Sequence, residues 1–530
     1  MSAPTIDAPV APRAGMRFVV EGPPVGALWR RAVLRAVLVP LPVLAPLVAL
    51  APSRDHRFNL YWHGGMFRDD PLRIVPHTVD SLPGYLRLGN FRLFGRMLEK
   101  TLDTAAYALS EVLGLPVNVG LRLVSFVSAI LLCVLAVLLA ESIVAPGRMF
   151  RRAPSTVAAV VPFAVAAGFV AAGGSSPIVL FGGLYLASAA LVLGVTAALC
   201  RIDPGKPLRL WWMPLLLLGG AGLAAFNEIA YLALPLATVA VLVRGGLVLG
   251  LRPGRLLTAA PARALGLVWV GFLPVFLAVR VVIRRYCAAG TCYKGSDVRF
   301  GPETWESLPV RAIAWLPPLQ WPAAAPRGSW AGGLVLIGAV LVIGLVAGQA
   351  IRDLPRLSRV GRRPAVALAA PAGALVLLGA GMGSLNVDVQ QLVATGRWGY
   401  GWRDSAVTTT AGALLLVALA HLVRPRGRLI IAPVVAVLLF AATATVSATA
   451  NKQQRDLAMS APAARLADRV AVEMADFDPT PGGAGRRCAL RAEFVELHAD
   501  SPFSVRRFDE SLEVASRQRA DVAFCPGVTG

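Results

Sequence analysis

Charge is scarce in this chain of 530 residues: 15% are Asp, Glu, Lys or Arg, 56% are hydrophobic, and mean hydropathy is +0.64. A water-soluble single domain cannot sustain that balance, because its surface would be too apolar to stay dispersed. Familiar signatures are missing too. There is no phosphate-cradling P-loop, Rossmann glycine fingerprint, GxSxG elbow or haem-binding cysteine pair, which disfavours ATP-driven transport and the common soluble hydrolase chemistries. The chain holds only five histidines. His56, His63 and His77 fall within one segment but lack an HExxH spacing, so they read as interfacial hydrogen-bonding residues with no two on a common metal-binding face.

Acidic residues are the scarcer sign, 30 against 52 basic, for a formal net charge of +22. In a soluble protein that excess would suggest nucleic acid. Here the arginines bunch in short gaps between apolar runs, which reads as membrane orientation with anionic headgroups as counter-charge. Apolar runs cover roughly 32–52, 118–143, 156–173, 177–199, 210–226, 228–243, 264–282, 330–350, 364–383, 406–423 and 429–448, most of them long enough to span. The expected fold is an all-α polytopic membrane protein of about eleven transmembrane helices, with a small external α/β carboxy-terminal domain.

With the amino terminus placed inside, every short internal connection is basic, from Arg148, Arg151 and Arg152 to Arg424, Arg426 and Arg428. That placement follows the positive-inside rule in a plasma membrane and puts the carboxyl terminus outside. The organisation expected is a cytoplasmic tail over 1–31, a membrane domain over 32–450 with external loops 53–116, 284–329 and 384–405, and an external domain over 451–530. The first apolar run begins only near Ala32 and no small-x-small cleavage pattern follows, so no cleaved signal peptide is expected. Of six cysteines, Cys133 and Cys200 fall in or at the end of spans. Cys287 with Cys292 and Cys488 with Cys525 fall on the external side, where disulfides persist. Neither pair has metal-binding CxxC spacing. In the tail, 453–476 and 504–519 read as helices and Cys488–Leu497 as a strand, stapled by Cys488 and Cys525.

The chemistry concentrates in the first external loop, where Asp55-His56-Arg57-Phe58-Asn59 leads through His63-Gly64-Gly65 to Arg68-Asp69-Asp70. Adjacent carboxylates repel, so in a desolvated cleft Asp69 or Asp70 can serve as a general base, or the pair can hold a divalent cation as cofactor. The plainer alternative is that Asp69-Asp70-Pro71 caps a turn. Arg87, Arg92 and Arg96 suit a lipid-linked phosphate, since guanidinium forks match phosphate oxygens, or they snorkel to headgroups. Glu228 interrupts two apolar runs at the outer boundary, as a functional carboxylate or a hairpin turn. The run Gly396-Arg397-Trp398-Gly399-Tyr400-Gly401-Trp402-Arg403 offers aromatics for sugar rings, with Trp402 and Arg403 as substrate contacts, or an interfacial belt.

This layout resembles the GT-C superfamily of polytopic glycosyltransferases, of the actinobacterial type. It shares a cytoplasmic amino terminus, one span, a long external loop with acidic residues (Asp69-Asp70), many further spans and an external carboxy-terminal domain. The resemblance implies transfer of a sugar from a polyprenyl-phosphate donor to an envelope glycan at the outer face, with Asp55, Asp69 or Asp70 matching the family's catalytic acid residue. A Trp-Trp-Asp signature is absent; Trp211-Trp212-Met213 falls at the cytoplasmic end of a span. The competing expectations are a transporter or flippase of a lipid-linked glycan, which would need ionisable residues deeper in the spans, and a non-catalytic envelope scaffold.

Overall fold

The computed structural model describes residues 24–53, 56–288, 298–325, 333–423 and 431–527. The first apolar run gives α1 (Val25–Leu38) and α2 (Pro40–Leu44), and the loop after it folds as α3 (His56–Phe67), α4 (Ile74–Asp80), α5 (Leu82–Arg87) and α6 (Leu93–Leu113). The bundle continues with α7 (Val117–Val144), α8 (Thr156–Ala167), α9 (Leu184–Cys200), α10 (Trp212–Ala224), α11 (Ala233–Leu247), α12 (Pro253–Thr258) and α13 (Ala260–Ala288). Next come α14 (Pro302–Ile313), α15 (Pro317–Ala324), α16 (Gly333–Asp353), α17 (Arg362–Ser384), α18 (Val387–Ala394), α19 (Ser405–Leu422) and α20 (Ile431–Met459). The tail forms α21 (Pro462–Ala475), α22 (Pro481–Leu497) and α23 (Pro502–Ala520).

Two sequence expectations are corrected. Among the described residues, 8 helices are long and apolar enough to cross a membrane, not about eleven. They are α7, α9, α11, α13, α16, α17, α19 and α20, some with adjoining 3₁₀ turns. The other three apolar runs are built differently. Pro40, Pro42 and Pro46 break the first, because proline removes an N–H donor and crowds the preceding turn. Helices α8 and α10 have 12 and 13 residues, only about 18–20 Å at 1.5 Å per residue against a hydrocarbon layer of roughly 30 Å. The second correction is the tail, where no β-strand occurs among the described residues; only isolated bridges Ser155–Ser358 and Val298–Asn386 are present. The expected strand Cys488–Leu497 is part of α22, and its buried positions, Gly483, Arg487, Leu490 and Phe494, recur at helical spacing. Among the described residues the carboxy-terminal domain is therefore all-helical, not α/β.

Side chains complete the broken segments. Arg122 of α7 donates to the carbonyls of Leu50, Ala51 and Val179. Asn451 of α20 donates to Val43 and Phe169 and accepts from the Ala171 N–H. Backbone groups that an unbroken helix would pair internally are thus satisfied by buried side chains.

The connections sort onto two ends of the bundle. At one, Arg31 and Arg35 meet Asp353 at 2.8 and 3.3 Å, Trp29 donates to the Arg152 carbonyl, and Arg244 donates to Ser142. At the other, Arg311 on α14 grips Asp404 at 2.6 Å, Val298 bridges Asn386, and α23 packs along α3. The tail shares one apolar core with the first loop: Leu466, Met474, Phe494, Phe508 and Leu512 pack with Phe58, Tyr61, Ala106 and Tyr107.

Candidate functional site

Helix α6 is the platform of the site. Arg96, Glu99, Asp103 and Tyr107 follow at three- and four-residue steps, which stacks them on one face, and Arg92 precedes them at the helix start. The start of α6 is fixed by the Phe94 and Gly95 N–H groups, which donate to the Ala225 and Phe226 carbonyls at 3.1 Å. Glycine is required there: a Cβ on Gly95 would lie 2.6 Å from the Phe226 oxygen. The same turn carries Glu228, whose Oε1 accepts from Arg92 Nε and Nη2 at 3.0 and 2.8 Å.

Helix α3 lies across α6 and contributes His56, Asn59 and His63. Seven residues make nearly two turns, so His56 and His63 do share a face, against the sequence expectation, and Asp103 sits between them. His56 Nε2 meets Asp103 Oδ1 at 2.8 Å and His63 Nδ1 meets Oδ2 at 2.7 Å. All three residues are buried. Burial pulls the Asp103 carboxyl upward, but the His56 and His63 rings, each hydrogen-bonded to one of its oxygens, outweigh it and hold the group at about 2. As an ionised acceptor Asp103 takes N–H from both rings, which leaves Nε2 outside that contact on a His63 that lines the cavity. His56 Nδ1 is buried with no hydrogen-bond partner among the described residues. Against its ring, 5.5 Å away, lies Phe181, held at φ +51°, a left-handed conformation that bulky residues seldom adopt.

Two adjoining cavities, ≈ 900 and ≈ 920 Å³ and open to solvent, share Asn59, Tyr85, Arg96 and Glu99 as a common wall. Five cationic side chains line the joined space, Arg92, Arg96, Lys100, Arg403 and Arg507, against the carboxylate of Glu99. Arg96 pairs with Glu99 at 2.7 Å and lies over the Tyr85 ring. Lys100 Nζ donates to Thr78 Oγ1 at 2.9 Å. Burial depresses this ammonium to about 8, with Glu99 opposing and Arg96 assisting the shift. His77 is lowered as well, by burial and then by Lys100 and His63. Burial pulls the Glu228 carboxyl upward, and the Arg92 and Arg403 guanidiniums overcome it, leaving the group at about 2. Arg403 lies 5.8 Å from the Tyr185 ring centroid and 5.5 Å from that of Trp402.

The sequence-predicted residues divide accordingly. Arg96 and Arg403 line the cavity, Glu228 stands behind Arg92, and Trp402 is buried beside Arg403. Asp69 and Asp70 are exposed beyond the end of α3, where Asp69 accepts from Gln518 Nε2 at 3.2 Å, and neither lines the cavity. Arg87 is exposed on α5. Asp55 and Cys292 lie outside the described residues, Cys287 stands at the end of α13, and Cys488 is bonded to Cys525 with Cα atoms 4.9 Å apart. Among the described residues no group of three His, Cys, Asp or Glu is disposed to hold a metal ion. Sequence reasoning missed Glu99, Lys100 and Asp103. Their signal was the helical spacing that continues from Arg96 through Glu99 to Asp103 on the polar face of α6.

Eight long apolar helices fit a multi-pass membrane protein, and the site is a net-basic polar cavity at one end of its bundle. No protein-family model matches the chain, and no curated protein or solved structure matches it either.

Proposed function

We propose that this chain is a membrane glycosyltransferase that takes a sugar from a polyprenyl-phosphate donor and passes it to an envelope glycan at the outer face of the plasma membrane. The observation that carries this reading is the cluster of Arg92, Arg96, Lys100 and Arg403 around two adjoining cavities at the head of the apolar helices. A lipid phosphate anchored in the bilayer reaches such a place with its chain still in hydrocarbon, and guanidinium forks recognise its oxygens. Tyr85, Tyr185 and Phe181 supply the flat apolar walls that sugar rings pack against. The GT-C resemblance supports the same assignment through the long loop after the first apolar run. The positive-inside rule places the basic hinges in the cytoplasm, and hence the cavity on the opposite side.

The test is transfer by purified protein in nanodiscs, supplied with a panel of polyprenyl-phosphate sugars and extracted envelope glycan. Transfer from at least one donor is expected. Arg96→Ala should weaken binding of that donor about 10- to 100-fold, the equivalent of one charge-assisted contact. No transfer with any donor, together with movement of a lipid-linked glycan across proteoliposomes, replaces this reading with a transporter.

A further inference from the structure

The geometry points to His63 as the general base of the proposed transfer, with Asp103 as the residue that positions it; the inference rests on the glycosyltransferase reading above. Three observations combine. Asp103 is fully buried and receives one imidazole on each carboxylate oxygen, at 2.8 and 2.7 Å. That contact occupies His63 Nδ1 and leaves Nε2 as the ring nitrogen not engaged by Asp103, on a residue that lines the cavity together with Lys100 and Arg96. Thr104 Oγ1 donates to the His63 carbonyl at 3.3 Å, tying the backbone of that turn to α6 as well. An ionised carboxylate on Nδ1–H fixes the tautomer in which Nε2 carries the lone pair, and it stabilises the imidazolium that forms when Nε2 takes a proton. His56, on the other oxygen, keeps the carboxylate from turning.

In the transfer step the acceptor hydroxyl oxygen attacks the anomeric carbon of the donor sugar and its proton passes to His63 Nε2. The bond between that carbon and the phosphate oxygen breaks, and its electron pair leaves on the polyprenyl phosphate. Arg96 and Lys100, in the same cavity, lie where the departing anion gains charge. No oxidant, reductant or co-reactant is needed. The charged and titratable groups around His63 are Asp103, Glu99, Lys100 and Arg96 from α6, His77 from α4, Tyr85 from α5 and Arg507 from α23.

The experiment measures kcat, donor binding and the histidine ring nitrogens in the full-length protein. Only five histidines are present, so ¹⁵N-histidine labelling with His63→Gln for assignment isolates the His63 signals. Nδ1 protonated and Nε2 bare is the expected state at neutral pH, with tautomers mixed in Asp103→Asn. His63→Gln should lower kcat by about 10²–10⁴ while donor binding changes less than about threefold. Asp103→Asn should lower kcat over a similar range. Full kcat in His63→Gln, or a protonated Nε2 in the unaltered protein at neutral pH, overturns the base while leaving the transferase reading in place. Absence of transfer by the unaltered protein from every donor overturns both.

Discussion

Lys100 joins a buried ammonium to a cavity suited to an anion. Its charge is held up to about pH 8 and lost above it, because burial favours the neutral amine. A phosphate ligand is therefore met by one cation fewer as pH rises through 8. In the free protein, kcat/KM for the donor should decline on the alkaline side with a midpoint near 8. Lys100→Arg should remove that limb, since guanidinium stays charged. A profile unchanged by the substitution would place the alkaline limb on another group. At this scale the sequence was legible for Arg96 and Arg403, where arginine stands beside aromatic and boundary signals. For Asp103 it offered a place on the polar face of α6 but not its partners, because the contacts that define this residue reach 40 and 47 positions back along the chain, to His63 and His56. Local spacing carries no record of such a pairing.

Helix α3 shows why an element unlikely by its own propensities still forms. It carries Gly64 and Gly65 in its last turns, each worth about 0.5–1 kcal/mol against a helix. Close approach on two sides offsets the loss. A Cβ on Gly64 would stand 2.3 Å from the Tyr107 ring, and one on Gly65 would stand 2.8 Å from the Ala515 backbone. The first glycine admits α6 and the second admits α23. Gly65→Val should push α23 away, cost about 1–3 kcal/mol and make the tail more readily cleaved by protease in the folded protein. An unchanged melting temperature and cleavage rate would show that α23 tolerates the shift. Elements were legible in the sequence wherever apolar runs were long, as in α7, α13 and α20. They were misread where burial came from partners distant in the chain. Cys488–Leu497 reads as strand-like, whereas Arg487, Leu490 and Phe494 share one helix face, with Leu490 and Phe494 in the core shared with the loop. The runs giving α8 and α10 were apolar enough for spans, but their helices end after 12 and 13 residues.

For the whole molecule, the two ends of the bundle differ in kind. One gathers Arg31, Arg35, Arg152 and Arg244 around short hinges; the other gathers the loop helices and the tail. In the orientation proposed above, the basic end lies in the cytoplasm. A reporter that matures only outside the cytoplasm, fused after Gly530, should therefore be active, and a cytoplasmic reporter at the same point silent. The reverse result would invert the molecule and move the cavity to the inner face. The shared core of loop and tail also has a consequence for biosynthesis. Arg57 waits for His498, 441 residues later, which at about 5–20 residues per second is on the order of 20–90 s of translation. Through that interval the nascent α3 and α6 present Phe58, Tyr61 and Tyr107 without their covering helices. A ribosome that stops before the last helices thus leaves a chain whose long apolar helices are complete while the cavity lacks Phe503 and Arg507.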